Sequence, residues 1–137
     1  MQFEFSLEHV GLAARDTTEL KDWYQHVLDA RVIFSNGEKP PAFIMQLPGG
    51  AWIEIYPGLF SAKETADNKL QGWRHLALRV ESIEAAKHEL ESKGVRFGEA
   101  AKPAGGGGRV LFFQDCEGNL LHLVERPATS PLANRDA

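Results

Sequence analysis

Four side chains able to bind a metal recur in matching places along this chain. His9 lies in a short apolar run, Leu7 to Leu12, and Glu54 lies in another, Trp52 to Tyr56. His75 follows in Trp73 to Val80, and His122 in Leu120 to Val124. His9 and Glu54 are 45 positions apart, and His75 and His122 are 47 apart. Each half therefore offers one such residue on its first strand-like run and one on its last. That is the pattern expected of a duplicated module closing around one ion. A lone histidine among apolar residues is ordinarily a core side chain with a satisfied hydrogen bond. Four positions in register across two halves favour the metal. Glu54 points the same way, because a carboxylate on an otherwise apolar strand is costly to bury without a cation, a hydrogen-bond network or water. Neutral imidazole suits Zn, Ni, Fe and similar ions, and one carboxylate lowers the net charge of the site. The competing reading is a solvent-facing sheet on which Glu54 is simply hydrated.

The elements that must carry these residues read in the same order twice. In the first half, Phe5 to Ala14 is a strand on which His9, Leu7, Gly11 and Ala13 share a face. Asp16 is placed as an N-cap with Glu19 three residues on. Leu20, Trp23, Tyr24, Val27 and Leu28 then form a helical stripe, with His26 off it. Arg31 to Phe34 is a short strand ending at Asn36-Gly37. Phe43 to Leu47 and Ala51 to Tyr56 form a hairpin about Pro48-Gly49-Gly50, and Glu54 shares its face with Trp52 and Tyr56. In the second half, Trp73 to Val80 is a strand. Ser82 caps a helix turning Ile83, Ala86 and Leu90 inward, with His88 outside, and Gly94 ends it. Val95 to Phe97 is a short strand. Val110 to Gln114 and Leu120 to Val124 form a hairpin about Asp115–Asn119. Residues 57–72 are a polar connector, and residues 128–137 form a loose tail. The fold class is thus α+β, with two tandem βαβββ units, each with a helix on one sheet face.

Composition narrows the function classes. The 137 residues suffice for one domain with a core, and 43% are hydrophobic and 25% charged. A net charge of −4 without a basic block argues against nucleic acid. No run approaches a membrane span, and the first residues lack the features of a signal peptide. Cys116 is the only cysteine, so no internal disulfide forms, and with no evident base beside it the thiol reads as incidental. A cytoplasmic protein is expected.

The chain resembles the vicinal oxygen chelate superfamily, which includes glyoxalase I, methylmalonyl-CoA epimerase, extradiol dioxygenases, fosfomycin resistance enzymes and bleomycin resistance proteins. The residues that carry the resemblance are Leu7-Glu8-His9-Val10-Gly11-Leu12, Trp23-Tyr24-Gln25-His26-Val27-Leu28, Trp52-Ile53-Glu54-Ile55, Arg74-His75-Leu76-Ala77-Leu78 and Asp115-Cys116-Glu117-Gly118-Asn119-Leu120-Leu121-His122. The similarity covers residues 5–127, as modules 5–57 and 73–126. It implies a cupped eight-stranded mixed sheet with the helices outside and a divalent metal inside (Zn, Ni, Mn, Co or Fe), usually in a homodimer. His9, Glu54 and His75 match ligand positions of the family. The fourth is usually a glutamate in Gly-Asn-x-x-Glu-Leu, whereas here His122 stands in its place within Gly118-Asn119-Leu120-Leu121-His122-Leu123. Glu125, three residues on, faces the other side of the strand.

Three functions follow from the resemblance. The leading one is a metal-dependent lyase or isomerase of the glyoxalase type, acting on a small substrate with vicinal oxygens. The ion would act as a Lewis acid, with Glu54 as ligand and catalytic proton carrier. The second is an iron-dependent dioxygenase, for which four protein ligands leave few open positions. The third is a non-catalytic binder of the bleomycin-resistance type, with Trp52, Tyr56 and Trp73 lining a pocket. Gly105 to Gly108 form a flexible connector or an anion-cradling loop, and Arg109 after them is a contact for substrate charge.

Overall fold

The computed structural model describes residues 4–60 and 64–134. They fall into two compact units, one holding residues 4–60 and the other residues 64–134.

In the first unit, strand β1 (His9–Ala14) is followed by helix α1 (Thr17–Leu28) and strands β2 (Arg31–Ser35), β3 (Phe43–Gln46) and β4 (Trp52–Pro57). The sheet order is β1-β4-β3-β2, with β1 parallel to β4 and the other pairs antiparallel. Asp16 caps α1 by accepting a hydrogen bond from the Glu19 amide at 3.0 Å. Leu20, Tyr24 and Val27 bury the helical stripe against the sheet, where Met45, Ile53 and Ile55 face it. The β3–β4 hairpin closes through Leu47 N–H to the Ala51 carbonyl, and its turn puts Gly49 and Gly50 at φ +96° and +103°. Side chains with a Cβ avoid that region.

The second unit repeats the plan as β5 (His75–Arg79), α2 (Ile83–Ser92), β6 (Lys102–Pro103), β7 (Arg109–Gln114) and β8 (Leu120–Glu125). Its order, β5-β8-β7-β6, matches the first, including the parallel first pair. Ser82 caps α2 through the Ala85 amide. Leu111, Phe113, Leu121 and Leu123 are buried, as are Ile83 and Leu90 of α2. The eight strands are thus two four-stranded mixed sheets, each with its own helix.

Three boundaries depart from expectation. β1 begins at His9, not Phe5, because its neighbour β4 begins at the partner residue Trp52 and leaves residues 5–8 nothing to pair with. Phe5 and Leu7 are accordingly exposed. β5 begins at His75, not Trp73, for the same reason, since its partner in β8 is the first residue, Leu120. Val95–Phe97 is not a strand. The Val95 amide is spent on the Leu90 carbonyl at the end of α2. The edge strand instead forms at Lys102–Pro103, and Pro103, lacking an N–H, keeps it short.

Of residues 128–137, expected to form a loose tail, 128–134 run in turns tied to the second unit, and 135–137 lie outside the described residues. Arg79 donates to the Leu132 and Ala133 carbonyls at 2.6 and 2.8 Å. Arg126 donates to the Gly105 and Gly107 carbonyls, and the Ser130 hydroxyl to that of Gly106. The glycine loop is therefore clamped. At Gly108, with φ +98°, a Cβ would lie 1.8 Å from the Glu125 carbonyl oxygen, so backbone passes where a side chain would stand.

Glu125 joins β8 to α2. Its carboxylate accepts from the Ile83 amide at 2.7 Å and from Arg109, which also pairs with Glu84. The Ile83 amide and then Arg109 hold the Glu125 pKa below the ordinary 4.5, and the Arg109 hydrogen bond does the same for Glu84. A carboxylate with a depressed folded-state pKa contributes stability above its unfolded pKa and loses it as pH falls through the folded value. Glu125→Gln is expected to lower the melting temperature at pH 7 and to flatten its decline below about pH 4.5. Thermal scans of both proteins across pH 2–7 check this, and parallel curves would refute it.

Candidate metal centre

Strand register decides which side chains share a face with the histidines. In the second sheet, Ala77 of β5 pairs with His122 of β8, and His122 pairs with Phe112 of β7. Val110, two residues before Phe112, pairs with Lys102 of β6. Alternation therefore gathers His75, His122, Phe112 and Lys102 on the face away from α2. The His75 and His122 rings lie 4.6 Å apart, and Phe112 stands 4.9 Å from His122. Lys102 Nζ sits 4.7 Å from the Phe112 ring centre, within the range of a cation–π contact.

In the first sheet, Gly11 of β1 pairs with Glu54 of β4, and His9 with Trp52. His9 Nε2 is 3.8 Å from Glu54 Oε1. Metal–ligand bonds of about 2.0–2.2 Å place neighbouring ligand atoms roughly 3.5 Å apart, so a small closure would let both bind one ion. The Tyr56 ring packs over Gly11, where a Cβ would meet Tyr56 Cε1 at 3.1 Å. Trp52 and Tyr56 are each more than a third exposed.

The three histidines share a detail that suits metal binding. Nδ1 of His9 lies 3.0 Å from Glu8 Oε1, that of His75 2.9 Å from Asn68 Oδ1, and that of His122 3.2 Å from the Leu123 carbonyl. A proton on each Nδ1 would meet such an acceptor and leave Nε2 with a free lone pair, the usual arrangement of a ligating imidazole. His122 is buried, and that burial pushes its pKa below the ordinary 6.5 against the upward pull of the Leu123 carbonyl, with His75 and Arg126 adding to the lowering. It is therefore held in the neutral form that binds metal.

The structure thus brings the predicted ligands together as two pairs, one in each unit. Among the described residues, no group of three or more His, Cys, Asp or Glu side chains is gathered as a metal cluster. Two expectations for the pocket change. Arg109 is not on the ligand face. It faces α2 with Leu111 and Phe113 and is engaged by Glu84 and Glu125. Trp73 precedes β5 and is almost fully exposed. Glu8, Asn68 and Lys102 were not anticipated from the sequence. Asp115 does more than occupy a turn: its buried carboxylate accepts from the Glu117 and Asn119 amides and the Asn119 side chain, fixing the turn into β8.

Fold and strand patterns of this kind define a tandem βαβββ protein with metal-capable side chains on the helix-free faces. Residues 6–123 match the model of the Glyoxalase/Bleomycin resistance protein/Dioxygenase superfamily, and the chain belongs to that family. Methylmalonyl-CoA epimerase of Bos taurus is 30% identical over 132 residues, covering 87% of this chain and 73% of the relative. Fosfomycin resistance protein FosX of Listeria monocytogenes is 25% identical over 122 residues, covering 85% and 86%. A FosX crystal structure complexed with Mn(II) and 1S,2S-dihydroxypropylphosphonic acid aligns with a TM-score of 0.66 at 20% identity, covering 92% of this chain and 94% of FosX. The glyoxalase family protein from Enterococcus faecalis aligns with a TM-score of 0.74 at 26% identity, covering 88% and 97%. Among the described residues, no helix is long and apolar enough to cross a membrane.

Proposed function

We propose that this chain is a metal-dependent lyase or isomerase of the glyoxalase type. His9, Glu54, His75 and His122 bind one divalent ion, drawn from Zn, Ni, Mn, Co and Fe. The observation that carries the reading is the two polar pairs on helix-free sheet faces, with Nδ1 of each histidine facing a hydrogen-bond acceptor. FosX, complexed with Mn(II), supports a divalent ion. When bound, such an ion supplies Lewis-acid charge to substrate oxygens. Glu54 moves the substrate proton, and Trp52 and Tyr56 bound the pocket on the first sheet. The active form is a homodimer, which sedimentation at micromolar concentration should report as twice 15.2 kDa.

The test is metal analysis of untagged protein purified without chelator. One equivalent of a divalent ion per chain, lost with activity on chelation, is expected. Metal-free protein that cannot be loaded would overturn the reading. Glutathione hemithioacetals and small acyl thioesters are the first substrates to screen. Oxygen uptake with catechols under ferrous iron would replace the isomerase by a dioxygenase. An aromatic ligand bound equally well by apo and loaded protein, with no turnover, would replace it by a binder.

The substrate carries an anionic group, because Lys102 takes the role first expected of Arg109. Register places Lys102 on the face of His75 and His122 together with Arg79, whose guanidinium is already taken up by the Leu132 and Ala133 carbonyls. Its ion pair with Glu99, 3.6 Å long and exposed, is worth little and is readily exchanged for a substrate anion. The methylmalonyl-CoA in one relative's name and the dihydroxypropylphosphonic acid complexed with FosX are both anionic. Lys102→Met is expected to raise KM roughly tenfold with kcat nearly unchanged, the low end for a hydrogen bond to a charged group. Steady-state kinetics check it, and an unchanged KM would remove Lys102 from recognition.

A further inference from the structure

We infer that Asn68, in the connector before β5, is a positioning residue that fixes the His75 ring with Nε2 free for the metal. The inference rests on the proposed metal site and extends it to a residue outside the strands. The connector folds about Asp67. The Asp67 amide donates to the Glu64 carbonyl at 2.8 Å, and the Leu70 amide donates to the Asp67 carbonyl at 3.2 Å. The Lys69 amide donates to the Asp67 carboxylate at 3.0 Å, and Arg74 ties the Asp67 carbonyl back toward β5. This turn brings Asn68 Oδ1 to 2.9 Å from His75 Nδ1.

The contact has a chemical consequence. An imidazole in water prefers its proton on Nε2, which blocks that nitrogen as a ligand. An amide oxygen facing Nδ1 reverses the preference and sets the ring plane. His9 and His122 obtain the same effect from neighbours in sequence, Glu8 and the Leu123 carbonyl. His75 has no such neighbour and takes its acceptor from seven residues away. Among the described residues its ring also meets Phe112 edge-on and His122 at a tilt, and neither ring contact selects a tautomer.

Asn68→Leu removes the acceptor while keeping a side chain branched at Cγ, and Asn68→Asp keeps an oxygen there. Nitrogen-15 spectra of the metal-free proteins at alkaline pH read the tautomer directly, and chelator competition reads metal affinity. The wild type and Asn68→Asp are expected to show a protonated Nδ1 at His75. Asn68→Leu is expected to move the proton toward Nε2 and to bind metal about ten- to a hundredfold more weakly. A wild-type His75 protonated on Nε2, or an Asn68→Leu protein with unchanged tautomer and affinity within twofold, overturns the inference while leaving the metal site standing. A wild type that shows the expected tautomer yet binds no metal instead overturns the proposed function, and the role of Asn68 with it.

Discussion

Glu54→Gln is expected to lower kcat by about 10²–10⁴-fold at saturating metal, the usual range for loss of a general base. Glu54 is the only carboxylate among the four proposed ligands, so proton movement has no second carrier there. Its side chain is half-buried at the end of a contact with His9, 3.8 Å away. Gln keeps the shape and one ligating oxygen but cannot accept a proton. The fold should survive, because Ile53 and Ile55 on either side carry the packing of β4. KM should change far less than kcat, since the interaction removed acts mainly in the transition state. Metal content is to be measured on the same preparation. A fully metal-loaded variant with wild-type turnover would remove Glu54 from the chemistry and leave it a ligand alone.

Much of this architecture was legible because periodicity is a local signal. The stripe of Leu20, Tyr24 and Val27 specifies α1, and Asp16 and Ser82 announce both helix starts through caps that need only three residues of context. Alternation placed His122 opposite the helix with Leu121 and Leu123 toward it, but it did not show that β8 is buried on both faces, Leu120, His122 and Val124 as well as Leu121 and Leu123. What could not be read locally depends on partners distant in sequence. Residues 5–8 have the pattern of a strand but no neighbour to pair with. Lys102–Pro103 has no strand pattern and becomes one because Val110 and Arg109 offer a ladder. Arg109 was assigned to substrate from its place after the glycines. Extending β7 by that one residue would have put it with Leu111 and Phe113, on the helix side. Asn68 carries no signal at all until the turn about Asp67 is folded.

Substitutions at His122 should have effects as large as those at Glu54, but on metal binding rather than turnover. His122→Ala removes a proposed ligand and leaves space beside Phe112, so metal affinity should fall by two orders of magnitude or more, somewhat beyond the usual loss for an outer-sphere partner. His122→Glu restores the side chain usual at this position in the family and separates ligation from packing. Residue 122 is buried, and burial of a charged carboxylate without a cation is costly. The apo form of His122→Glu should therefore melt below apo wild type. Metal should restore it, because an ion at a hundred times its Kd stabilises by about 2.7 kcal/mol. The difference in melting temperature between chelated and metal-saturated protein should then rank His122→Glu above wild type, with His122→Ala near zero. Calorimetry of the three proteins with and without chelator decides it. A His122→Ala protein that keeps wild-type metal content and the wild-type metal-induced shift would remove His122 from the ligand set and leave its free Nε2 without a role at the metal.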